Sequence, residues 1–174
     1  MSTGHPTYSD APDRFDRRAF RDALGRFPTG VTIITTRAAN GDAVGLTANS
    51  FNSVSLGPPL ILWSLALYSP NLPVFQECRH YVVNVLAEDQ AALAHRFGYS
   101  QTGKFDGVQW REGLGGAPLL DGCAAHFECR NEFRHHGGDH IIFVGQVERF
   151  ESFDRASLVF ARSGYHRIGK AAEE

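Results

Sequence analysis

Apolar and polar residues divide the chain into one early amphipathic stretch and a succession of short alternating ones. From Asp16 to Phe27, the apolar residues Phe20, Leu24 and Phe27 recur at helical spacing among charged neighbours, and Asp16 is placed to cap the helix. This predicts an amphipathic helix lying on another surface. After Pro28 the pattern becomes β-branched, with Val31, Ile33 and Thr35 alternating with Thr32, Ile34 and Thr36. It predicts a strand that enters a hairpin at Asn40-Gly41, a strong tight-turn pair. Further strands are predicted at Ala43–Ala48, Leu60–Ala66, Tyr81–Leu86, Ala124–Phe133, Ile141–Phe150 and around Ser163–Ile168, with short helices at Pro70–Glu77 and Glu88–Phe97. Six or seven strands thus dominate, and they do not alternate with long helices. A closed, mainly antiparallel barrel with short helices fits better than a doubly wound parallel sheet, because closure removes exposed strand edges.

Composition narrows the class. At 174 residues, 43% hydrophobic and 21% charged with a formal net charge of −2, the chain reads as one ordinary globular domain. Lys and Arg are scattered, so neither a nucleic-acid backbone nor a lipid surface is an expected partner. The longest apolar run, Pro58–Leu67, is interrupted by Ser64 and is far shorter than the ~20 residues of a membrane span. Cys78, Cys123 and Cys129 form no C-x-x-C pair and read as free thiols of a reducing compartment, so a cytoplasmic protein is expected. Residues 1–14 read as a mobile tail, 15–170 as the domain and 171–174 as a short C-terminal tail.

Two segments could carry chemistry. Thr47-Ala48-Asn49-Ser50-Phe51-Asn52-Ser53-Val54-Ser55 follows a strand and concentrates six hydroxyl or amide side chains, which could face an anion or a ring edge. The same composition also suits a loop that satisfies its own backbone. Gly137-Gly138-Asp139-His140 permits a tight turn that holds His140 at a strand start, either to meet a ligand or to cap the turn. His135, His136 and His140 match no strong zinc spacing, and no metal is expected. Gly113-Leu114-Gly115-Gly116 precedes Pro118 and reads as a loop; it is not the G-x-G-x-x-G of a doubly wound nucleotide fold.

The ordered series Phe27-Pro28-Thr29-Gly30-Val31-Thr32, Gly45 to Ser55, Pro58-Pro59-Leu60, Val83-Asn84-Val85-Leu86, Lys104-Phe105 and Gly138-Asp139-His140 resembles the short-chain flavin reductases. The resemblance runs from about Phe15 to Ile168. It implies a split β-barrel, a homodimer, FMN or FAD as flavin and NADH or NADPH as hydride donor. It also implies a reduced-flavin-dependent monooxygenase as partner. By the same resemblance, Thr29, Thr47, Ala48, Asn49, Ser50, Phe51, Ser53, Ser55, Ser69, Asn84, Val85, Leu86 and Lys104 would bind flavin, and His140 and Tyr165 would face the nicotinamide. The segment Trp63 to Asn71 departs from the family's commoner lysine-containing form, which bears on the phosphate contacts and on the choice of flavin. The alternative function is a flavin-binding electron-transfer protein without NAD(P)H turnover. A related barrel family that oxidises pyridoxine phosphate is disfavoured by the Gly-Asp-His motif.

Overall fold

The computed structural model describes residues 15–99 and 101–169; the two predicted tails lie outside them. Among these residues are twelve strands: β1 (Thr29–Gly30), β2 (Thr32–Arg37), β3 (Ala43–Ala48), β4 (Asn52–Leu56), β5 (Pro59–Ala66), β6 (His80–Val85), β7 (Trp110–Glu112), β8 (Pro118–Leu120), β9 (Ala125–Gly137), β10 (His140–Ser152), β11 (Leu158–Ala161) and β12 (Gly164–Arg167). Helices α1 (Arg17–Leu24), α2 (Leu72–Glu77) and α3 (Ala91–Gly98) are short. Seven strands form one sheet in the order β3-β2-β6-β9-β10-β5-β4, every neighbouring pair antiparallel. The order does not return from β4 to β3, so the barrel is split, as the family resemblance implies, where the strand pattern alone suggested closure. A three-stranded sheet, β1-β11-β12, and the β7-β8 pair complete the fold.

Local chemistry explains the elements. Asp16 caps α1 by accepting from the backbone N–H groups of Arg18 and Ala19, at 2.9 and 3.0 Å. The helix is shorter than the apolar spacing suggested, because the chain turns at Gly25. Asn40-Gly41 makes the predicted turn, with Gly41 at φ 89°, where a side chain would be strained. The Gly138-Asp139 turn joins the two longest strands, β9 and β10, each of 13 residues. The hydroxyl-rich segment is partly a strand, since Asn52–Leu56 pairs with β5 as β4.

Strand β2 is buried on both faces, and its alternation separates two cores. Ile34 joins Leu46, Trp63, Phe75, Tyr81 and Phe143 inside the barrel. Trp63 stacks on Phe143 at 4.6 Å and meets Phe75 edge-on at 5.0 Å. Ile33 faces the other way, into a cluster with Val31, Leu86, Phe97 of α3 and Leu158 of β11. Helix α1 joins neither core: it has no buried residue, its Phe20 and Leu24 are 49% and 58% exposed, and Phe27, just beyond it, is 74% exposed.

Candidate functional site

Where the two cores meet, the surface opens into a cleft of about 480 Å³ between the end of β3, the end of β5 with the turn after it, and the C-terminal end of α3. Its size lies within the range of roughly 300–1,000 Å³ that small-molecule sites occupy. The floor is apolar, from Leu46 and Leu65 of the barrel core and Phe97 of the outer core. Thr47, Ser69 and Lys104 supply polar groups, while Tyr68 and Tyr99 stand at the rim, 86% and 63% exposed. Thr47 also walls a smaller pocket of about 140 Å³, with Val31, Asn49, Phe160 and Tyr165.

Among the described residues, Lys104 is the one cation lining the cleft. Its Nζ donates to the carbonyls of Gly45 and Phe97, at 3.3 and 3.2 Å, which hold the ammonium at the junction of β3 and α3. An ammonium has a third proton to give. Partial burial pulls Lys104 below the ordinary lysine value, because leaving water disfavours its charged form. An anion in the cleft would offset that cost. Close packing sets this geometry: a Cβ on Gly45 would collide with the Phe97 ring, so α3 sits directly on β3.

Tyr165 packs against Phe160 at 5.5 Å and edge-on to His95 at 5.1 Å, and His95 in turn lies parallel to Tyr99 at 6.2 Å. An aromatic wall thus runs from the small pocket to the cleft rim. Burial, with Tyr99 nearby, raises the Tyr165 phenol above its ordinary value and keeps it a neutral donor. His95, Tyr68, Tyr99 and Phe160 were not read from sequence as site residues. Their shared feature is aromatic character in or beside short elements, which marks a surface only once the fold places it.

The other predicted residues divide into three groups. Thr29 lies on β1 opposite Phe160, and its Oγ1 is buried without a partner among the described residues. His140 pairs with Ala66, a residue of the cleft wall, and its Nδ1 lies 2.7 Å from the Asp139 carboxylate. That contact holds the Asp139 carboxyl below its ordinary range. Ser50, Phe51, Ser53 and Ser55 line neither cavity. The Ser50 hydroxyl accepts from the Ser64 N–H at 2.9 Å and donates to the Ser64 carbonyl at 3.3 Å, tying the turn to β5. Phe51 packs on Phe127, while Ser53 and Ser55 lie along β4. Ala48 is buried in the barrel core. Asn84 is fully buried; its amide donates to the Ile33 carbonyl and Thr35 Oγ1 and accepts from the Leu120 N–H, which locks β6 to β2 and β8. Beside it, the carbonyls of Val85 and Leu86 accept from Ala124 and Leu158, so both are spent on holding the layers together.

The donors and surfaces fit a flavin and its hydride donor: an apolar floor for a ring, a cation and hydroxyls for a phosphate, an unpartnered buried hydroxyl at Thr29, and an aromatic wall for a second ring. Fold and cleft together define an open antiparallel barrel with a cleft at its seam whose lining suits a flat, anionic ligand. Residues 24–169 match the flavin reductase like domain, and the chain belongs to that family. FMN reductase (NADH) SmoA of Agrobacterium fabrum is 42% identical over 160 residues, 91% of this chain and 90% of that protein. A probable flavin reductase of Rhizobium meliloti is 43% identical over 151 residues, 87% of this chain but only 49% of the longer relative. Among solved structures, the NADH:FAD oxidoreductase SgcE6 of Streptomyces globisporus C-1027, in complex with NAD and FAD fragments, aligns with a TM-score of 0.86 at 36% identity, over 91% of this chain and 96% of that one.

Proposed function

We propose that this chain is an NAD(P)H:flavin oxidoreductase that supplies reduced flavin to a separate monooxygenase. The observation that carries the reading is the match of residues 24–169 to the flavin reductase like domain, in a chain whose cleft has the donors such chemistry needs. Relatives of like length include a reductase subunit of a flavin-dependent monooxygenase, HsaB of Rhodococcus jostii, 40% identical over 91% of this chain.

In this reading Thr47, Asn49, Ser69 and Lys104 hold the flavin, with Thr29 completing the wall. A bound flavin would supply the hydride acceptor, with a bound nicotinamide as donor, and would leave in reduced form. The protein's own part is to stack the two rings at near-contact distance and to stabilise the negative charge that reduction leaves. In the same reading Tyr165 and His140 face the nicotinamide. Lys104, held by two carbonyls and partly desolvated, anchors the phosphate. A homodimer is part of the same proposal, supported by the apolar face of α1, which the described residues leave uncovered, and by Leu56, 96% exposed on β4, an edge strand among the described residues. Three free thiols favour a reducing compartment such as the cytoplasm; no helix among the described residues is long and apolar enough to cross a membrane.

Mixing the purified protein with NADH or NADPH and excess flavin, and following the nicotinamide absorbance, tests the function. Oxidation well above the flavin-only background is expected. Tight flavin binding with no such oxidation would instead establish the electron-transfer alternative.

A further inference from the structure

Arg96 lines neither the cleft nor the small pocket beside it. It stands exposed on the outer side of α3, in a separate hollow with Leu93 and Val108. Its guanidinium nevertheless reaches the segment that carries Lys104: Arg96 Nη1 donates to the Asp106 carbonyl at 2.9 Å.

That segment needs fastening. Residues 101–109, between α3 and β7, form neither helix nor strand, and the turn Gly103-Lys104-Phe105-Asp106 is closed by one backbone bond, from the Asp106 N–H to the Gly103 carbonyl at 3.1 Å. A left-handed glycine opens the turn and another follows it, Gly103 at φ 70° and Gly107 at φ 71°. Glycine restricts its backbone least, so neither end of the turn fixes the direction in which Lys104 leaves it. The flexible four-carbon stem of lysine adds further freedom. Its ammonium can meet a phosphate at a fixed place only if the backbone beneath it is held.

Two consecutive residues of α3 hold it. From within, the Phe97 ring meets Phe105 edge-on at 4.9 Å, and the Phe97 carbonyl accepts from Lys104 Nζ at 3.2 Å. From the outer side, Arg96 grips the Asp106 carbonyl, two residues beyond Lys104. Phe97 is also part of the cleft floor, whereas Arg96 fastens the same turn without lining the site.

Resting on the flavin reductase reading, we propose that Arg96 is a positioning residue: by pinning the Asp106 carbonyl, it holds the turn so that Lys104 presents its ammonium to the flavin phosphate.

Amide exchange in the ligand-free protein is the first test, since it needs neither flavin nor turnover. Arg96→Ala should lose protection at the Asp106 and Val108 amides, which bond to the carbonyls of Gly103 and Phe105, while the β9–β10 hairpin keeps its own. Fluorescence titrations with FMN and riboflavin come second. Arg96→Ala should bind FMN about three- to tenfold more weakly, the range that one net hydrogen bond spans. Riboflavin affinity, and kcat at saturating flavin, should stay unchanged. Arg96→Lys keeps a charged donor and should restore most of the protection and of the FMN affinity. Should Arg96→Ala fail to fold, Arg96→Gln, neutral and closer in bulk, carries both measurements.

Wild-type protection at Asp106 and Val108 would overturn the proposal, because any weaker FMN binding would then come from the field of the guanidinium and not from the turn. Equal loss of affinity for both flavins would also overturn it, as the mark of a general loosening that a lower melting temperature would register. Lys104→Met separates the two levels of the reading. If that variant keeps the preference for FMN over riboflavin, the phosphate role of Lys104 falls and the role of Arg96 with it. If the preference is lost there but intact in Arg96→Ala, only the positioning role falls.

Discussion

Lys104 ties its own titration to ligand binding. Its folded pKa lies below its unfolded value, so between the two the unfolded chain binds more protons, and stability rises with pH across that interval. A phosphate at Nζ reverses the cause by restoring a partner to the ammonium. FMN affinity is therefore expected to fall as pH rises through the alkaline range just under the ordinary lysine value. Riboflavin, with the same ring and no phosphate, controls for the ring's own titration and should show less dependence. Fluorescence titrations of both flavins across that range check this; identical pH profiles would remove Lys104 from the phosphate. At this scale the sequence was only partly legible. It displayed Ser50 and Asn84 as polar residues in a suggestive place, but the direction of a hydroxyl or an amide is settled by what packs around it. Ser50 turned out to bind the Ser64 backbone, and Asn84 to hold three strands together.

Long strands were the easiest elements to read, because alternation needs several residues to declare itself. The β9–β10 hairpin and β2 stood out in this way, although both hairpin strands run further than their apolar residues suggested. Strands β7, β8 and β11 have three or four residues, too few to establish a period, and β4 hid in a run of serines because it lies at an edge with exposed side chains. Strand β10 carries a constraint that alternation does not reveal. Gly145 sits beside the fully buried Tyr81, and a Cβ there would overlap the phenol and crowd Cys129. Gly145→Ala is expected to destabilise the fold by roughly 1–3 kcal/mol through overpacking. Urea denaturation should show a lower midpoint at unchanged slope. Adding Tyr81→Phe should recover part of the loss, since it removes the nearest atom.

At the scale of the whole molecule, a mainly β barrel was legible because strands outnumbered helices and no long crossovers intervened. That it is split came only from the family resemblance and not from the strand pattern, since closure depends on which edges meet. Helix α1 presents a related case: its amphipathic pattern is plain, yet the described residues do not cover the apolar face. If a second subunit covers it, Leu24→Asp with Phe27→Asp should shift the protein from dimer to monomer in analytical ultracentrifugation; a wild-type monomer would defeat the proposal. The two cores separated by β2 have a consequence for how the molecule breathes. The cleft floor draws Leu46 and Leu65 from one core and Phe97 from the other, so a bound ligand would tie the two cores together across the cleft. Native-state amide exchange should then slow most in α3 on flavin binding, and least in the β9–β10 hairpin. The ligand would act as a mortar between two layers, and an empty protein would loosen first along that seam.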